Sequence, residues 1–97
     1  MNDGTAGHKS RITLEIINEK GLHARASAKL VELVEGFDAS AEVSKDGLSA
    51  SGDSIMGLLM LAASKGSSID VETSGPDAEA LAQALKSLVE SRFGEDA

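Results

Sequence analysis

Two hydrophobic rhythms alternate along this chain, and together they constrain its fold more than any other feature. Ile12, Leu14 and Ile16 alternate with Thr13 and Glu15, the period of two that gives a strand one apolar face. After the turn Asn18-Glu19-Lys20-Gly21, the spacing changes. Ala24, Ala28, Val31 and Val34, with Leu30 beside them, recur every three or four residues, which predicts a helix from just after His23 to Glu35 with Gly36 as its C-cap. Ala41 and Val43 then alternate with Ser40, Glu42 and Ser44. The tight-turn sequence Lys45-Asp46-Gly47 follows, and Leu48 and Ala50 resume the alternation as the second arm of a hairpin. From Ile55 to Ala63 the chain is apolar nearly all round, which predicts a short helix closed by Lys65-Gly66. Ile69 and Val71 between Asp70 and Glu72 form a fourth strand. Beyond the Gly75-Pro76-Asp77 break, Ala78, Leu81, Ala82, Leu85, Leu88 and Val89 follow the helical period, with Pro76 and Asp77 suited to the start and Lys86 and Arg92 towards the end.

The predicted order is β-α-β-β-α-β-α. One-face-apolar strands and amphipathic helices call for a two-layer α+β domain in which helices cover one side of an antiparallel sheet. Thr13, Glu15, Glu42, Asp70 and Glu72 are the polar set expected on the open side. At 97 residues the chain holds one domain, read as 11–93 between an N-terminal tail (1–10) and a C-terminal tail (94–97), both polar and frayed. A large enclosed active-site cleft is not expected at this size.

Composition narrows function. Nine Lys plus Arg against sixteen Asp plus Glu give a net charge of −7, which disfavours nucleic acid or an anionic membrane as partner. There is no cysteine for a disulfide, a thiol nucleophile or a thiolate metal site, and the two histidines do not stand at metal-ligand spacing, so neither metal nor cofactor is expected. With Phe37 and Phe93 as the only aromatics, stacking platforms are essentially absent. No signal-peptide core or membrane span is evident, which points to a cytoplasmic protein.

One position carries candidate chemistry. His23 stands in Gly21-Leu22-His23-Ala24-Arg25, at the entry to the first helix, where unpaired backbone N–H groups and the positive end of the helix dipole favour an anion. An imidazole there can attack a phosphoryl group through a neutral ring nitrogen. The backbone of Ala24, Arg25 and Ala26 and the Arg25 guanidinium can hold the resulting dianion. Read without context, His23 is equally a surface residue at a helix start, and Arg25 a solvated charge.

The segment Gly21-Leu22-His23-Ala24-Arg25-Ala26-Ser27-Ala28 resembles the active-site segment of the HPr family, the histidine phosphocarriers of the bacterial phosphoenolpyruvate:phosphotransferase system. Ser54-Ile55-Met56-Gly57-Leu58-Leu59-Met60-Leu61 resembles the family's regulatory-serine segment. The resemblance runs from about Arg11 to Phe93. It implies an open-faced β-sandwich with a four-stranded antiparallel sheet covered on one face by three helices. It also implies a monomeric protein whose His23 accepts phosphate from Enzyme I and passes it to an Enzyme IIA-type protein, with Arg25 stabilising the phosphate. Ala26 stands where sugar-transport members usually have proline, and in this the chain resembles the nitrogen-regulatory branch, NPr. The first helix sets Lys29 against Glu32 and Glu35, whereas transport-type members commonly carry basic residues there.

Ser54 has two readings. A serine before an apolar helix is first an N-cap, worth about 1 kcal/mol. The resemblance makes it the serine that an HPr kinase/phosphorylase modifies, where about −1.5 to −2 of added charge would block a docking partner. Asp53 beside it could cap the helix itself. Leu22, Ile55, Met56 and Leu59 are expected to form a partner-docking patch, with Leu58 and Leu61 in the core. The leading expectation is therefore a phosphocarrier in a regulatory relay, a protein substrate more than a stand-alone catalyst. The alternatives are an interaction module controlling partners by its phosphorylation state and, third, a small-ligand-binding regulator.

Overall fold

A computed structural model describes residues 8–97. Its elements are β1 (Lys9–Glu15), α1 (Ala24–Glu35), β2 (Ser40–Lys45), β3 (Leu48–Ser51), α2 (Ile55–Met60), β4 (Ser68–Ser74) and α3 (Ala78–Glu90), followed by a 3-10 turn at Arg92–Gly94. This is the predicted order, with α1 between the predicted limits. The strands form one antiparallel sheet in the order β1-β4-β2-β3. The fold is an α+β open-faced sandwich with three helices on one face of the sheet.

The register explains why the faces separate. Leu14 pairs with Ile69, and Val71 pairs with both Ile12 and Val43, so these side chains share the helix-covered face. There they meet Leu30, Val31 and Val34 of α1, Leu58 of α2, and Leu81, Leu85 and Val89 of α3. One slip of register would turn the whole set outward. On the open face, Thr13 Oγ1 donates to Asp70 Oδ1 at 2.6 Å and Arg11 pairs with Glu72 at 3.4 Å. Arg11 thereby offsets part of the repulsion between Glu42 and Glu72, which lie opposite each other. Thr73, a polar residue on the core face, is buried with its hydroxyl donating to the Ala78 carbonyl at 2.7 Å, which ties the start of α3 to the sheet.

Local details depart from expectation. Lys9 and Ser10 belong to β1, so the strand reaches into what the sequence suggests is tail; residues 1–7 of that tail lie outside the described residues. Asp77 starts α3 without capping it. Its carboxylate accepts the Asp38 N–H at 2.9 Å, because the loop before β2 packs alongside. Arg92 lies beyond α3, in the 3-10 turn. Asp46 and Gly47 both have positive φ, as a two-residue hairpin turn demands.

Candidate functional site

The site is built on the loop between β1 and α1. Gly21 has φ of 65°, and its lack of a side chain lets the loop press against the chain after α2, where the Leu22 N–H donates to the Ala63 carbonyl at 2.8 Å. Asn18, fully buried, donates from Nδ2 to the Gly21 carbonyl at 2.8 Å and fixes the same loop from inside. Ser27 Oγ donates to the Leu22 carbonyl at 3.1 Å. These bonds deliver His23 to the N-cap of α1 in an extended conformation. The first turn bond of α1 runs from the Ser27 N–H to the His23 carbonyl, so the N–H groups of Ala24, Arg25 and Ala26 precede the helix ladder. They sit where anion-binding donors are expected, although the Ala26 side chain itself is buried.

The His23 side chain is about a quarter exposed, and its Nε2 lies 2.6 Å from Oε2 of Glu95. The other carboxylate oxygen, Oε1, accepts from Asn18 Nδ2 at 3.0 Å. The hydrogen bond with His23 first, and that from Asn18 second, hold the Glu95 carboxyl below its ordinary value, against the opposing effect of desolvation. His23, Arg25 and Lys29 of α1, Lys20 of the loop, and Glu95 border a depression of about 360 Å³. A second depression, of about 290 Å³, joins His23 to Leu59 and Ala63. Among the described residues no cluster of three His, Asp or Glu side chains is arranged to hold a metal.

Glu95 is the residue that sequence reasoning missed, since the end of the chain reads as a frayed polar tail. Here that segment is tied down, with Glu95 on His23 and the Ala97 carbonyl accepting the Glu19 N–H at 3.1 Å. The hook that delivers Glu95 has three consecutive left-handed residues, Arg92, Phe93 and Gly94, at φ of 58°, 55° and 79°. For the two non-glycine residues this costs about 1–2 kcal/mol each. Complete burial of Phe93 contributes about 1.5–3 kcal/mol in return, and Lys29 Nζ donates to the Phe93 carbonyl at 2.7 Å. An aromatic at the end of an amphipathic helix was the one available signal, and it identifies an anchor without saying what the anchor delivers.

Ser54 is the N-cap of α2, its Oγ accepting the Gly57 N–H at 3.0 Å. Asp53 does not cap the helix; its carboxylate accepts from Ser51 Oγ at 2.6 Å. Ser54 lines neither depression that contains His23. Ile55, Met56 and Leu59 are exposed, Met56 by 69%, together with Met60 and Leu48, while Leu58 and Leu61 are buried. Leu22 departs from its expected place in the patch. At 4% exposure it is a core residue, drawn in by the Leu22–Ala63 bond and the sharp turn at Gly21.

Residues 10–91 match the family model described as the PTS HPr component phosphorylation site. The chain belongs to the HPr family. It is 49% identical over 80 residues to the phosphocarrier protein HPr of Cupriavidus necator, which covers 82% of this chain and 90% of that relative. It is 45% identical over 85 residues to the phosphocarrier protein NPr of Escherichia coli, covering 87% and 94%. Among solved structures, HPr from Thermoanaerobacter tengcongensis superposes with a TM-score of 0.86 at 38% identity, covering 91% of this chain and 99% of that one. As a member of the HPr family, the chain is a phosphocarrier of the phosphotransferase-system type. No helix among the described residues is long and apolar enough to cross a membrane.

Proposed function

We propose that this HPr-family chain accepts a phosphoryl group from phospho-Enzyme I on His23 and passes it to an Enzyme IIA-type protein. The observation that carries the proposal is the placement of His23. An accessible imidazole sits at the N-cap of α1, beside N–H groups that precede the helix ladder and beside the exposed Arg25. A lone pair of the ring attacks phosphorus, and the bond from phosphorus to the donor atom breaks with its electron pair returning to the donor. The dianion comes to rest against backbone donors, the helix dipole and a guanidinium. The exposed Ile55, Met56 and Leu59 supply the docking surface, and Leu59 shares a depression with His23. Incubation with phosphoenolpyruvate and a compatible Enzyme I should give one acid-labile phosphate per chain, mapped to His23 and absent in His23→Ala. Unchanged labelling of that variant would overturn the reading.

The regulatory, nitrogen-type relay is the finer proposal. The exposed Glu32 and Glu35 on α1 support it, since they give partners a different face from that of transport-type members, and so does the resemblance of Ala26, after the motif arginine, to that branch. Competition between a nitrogen-type and a sugar-type IIA protein for the phosphorylated chain tests it, with faster discharge to the nitrogen-type acceptor expected. Ser54 is proposed as a second phosphorylation site, for an HPr kinase/phosphorylase. Its half-buried, cap-bonded hydroxyl would have to leave the Gly57 N–H to react.

A further inference from the structure

We propose that Glu95, braced by Asn18, is the positioning residue that selects the reactive ring nitrogen of His23 and compensates the ring's positive charge while it carries phosphate. This rests on the reading of His23 as the phosphoryl acceptor. It adds a residue from outside the 10–91 span shared with the family model.

The bonding admits one proton arrangement. The Gly21 carbonyl can only accept, so Asn18 must turn its NH₂ towards it, and the same NH₂ is then presented to Glu95 Oε1. An ionised Glu95 accepts at both oxygens, which requires Nε2 of His23 to carry the hydrogen that bridges 2.6 Å to Oε2. In the neutral ring Nδ1 is then the bare nitrogen. The opposite tautomer would set a lone pair against a carboxylate. Two local oddities fit this purpose. Asn18 leaves its buried Oδ1 without a partner among the described residues, and the hook bearing Glu95 is left-handed at Arg92 and Phe93. Unsatisfied polar atoms and strained backbone gather where geometry serves function.

The same contact serves both directions of transfer. On uptake, the Nδ1 lone pair forms the bond to phosphorus, the donor's bond breaks towards the donor, and Nε2 keeps its hydrogen. The ring becomes a cation facing a carboxylate. On discharge, the acceptor's lone pair attacks phosphorus and the P–Nδ1 pair returns to the ring. Because Nε2 is still protonated, the ring leaves as neutral imidazole, a far better leaving group than imidazolate. Lys20 from the loop, Arg25 and Lys29 from α1, and Glu19 and Asp96 border the same depression, but only Glu95 is hydrogen-bonded to the ring.

The test compares the full chain with Glu95→Gln, Glu95→Asp and Glu95→Ala by ¹⁵N spectroscopy of the His23 ring in alkaline solution, at a pH above which the ring signals no longer change. The parent should show a protonated Nε2 and a bare Nδ1. Glu95→Ala should shift both signals towards the average of two tautomers. Discharge of the phosphorylated proteins to an Enzyme IIA-type acceptor should slow by about tenfold in Glu95→Gln and Glu95→Ala, the scale of one hydrogen bond to a charged group, with partial rescue in Glu95→Asp. Backbone amide spectra confirm that each variant is folded. A parent ring already averaged or protonated on Nδ1 would overturn the proposal, as would discharge at the parental rate in all three variants. Labelling at a residue other than His23 would instead sink the carrier reading, and the ring spectra report on Glu95 in either case.

Discussion

A Cβ on Gly21 would stand 2.5 Å from the carbonyl oxygen of Ala63, the same oxygen that the Leu22 N–H engages at 2.8 Å. The loop before His23 is thus clamped against the chain leaving α2 with no room for a methyl group. Gly21→Ala should cost about 1–3 kcal/mol for its left-handed conformation alone, with the clash adding to it. A fall in Tm of at least about 4 °C is expected. A parent-like melt would mean the two loops are not clamped.

Arg25 is exposed and borders the depression that contains His23. Arg25→Ala should keep the parental melt and still be labelled at His23, while transferring phosphate more slowly by about tenfold, the scale of one charge-assisted contact. Single-turnover transfer rates of the two proteins check this. Equal rates would remove Arg25 from the site.

Ser54 separates a structural role from a regulatory one. Ser54→Ala should lose about 1 kcal/mol, and Ser54→Asp should melt close to the parent, because aspartate caps as well as serine and suits the helix dipole. If the neighbouring apolar patch docks Enzyme I, Ser54→Asp alone should slow phosphorylation of His23. The effect should be partial, since Asp53 already places a charge there. Rates equal to the parent in both variants would leave Ser54 as a helix cap.

Glu95 gives the protein a defined acid response. Its folded pKa lies below the ordinary 4.5, so its ionised contact stabilises the fold fully above that value and is lost as pH falls through the lowered one. The difference in Tm between the parent and Glu95→Gln should therefore shrink as pH falls below the ordinary carboxylate range. A difference that persists unchanged at pH 2 would show that the carboxylate charge is not what holds the hook.

The helices and strands were legible because each rests on a local period, and α1 emerges between its predicted ends for that reason. His23 and Arg25 drew attention through the resemblance of Gly21–Ala28 to the family's active-site segment, since their spacing at a helix start alone also suits a surface pair. The Glu95 contact was not, since it joins groups 72 residues apart through left-handed turns at Arg92 and Phe93 that no propensity suggests. Asn18 reads as an ordinary turn residue, and only its folded position shows that its Nδ2 serves two acceptors, the Gly21 carbonyl and Glu95. Leu22 misleads in the opposite direction. Its neighbours in sequence suggest surface, but the turn at Gly21 faces it inward.

The strand order β1-β4-β2-β3 also governs how the chain can be assembled. β4 lies between β1 and β2, so the last strand to leave a ribosome is the one that joins the other two. Before residues 68–74 emerge, only the β2-β3 hairpin and isolated helical turns have local partners, and β1 must wait with its apolar face uncovered. Its closure spans more than fifty residues, a non-local contact of the kind that slows folding and lengthens exposure to aggregation or chaperones. A nascent chain is therefore most vulnerable just before its fourth strand appears.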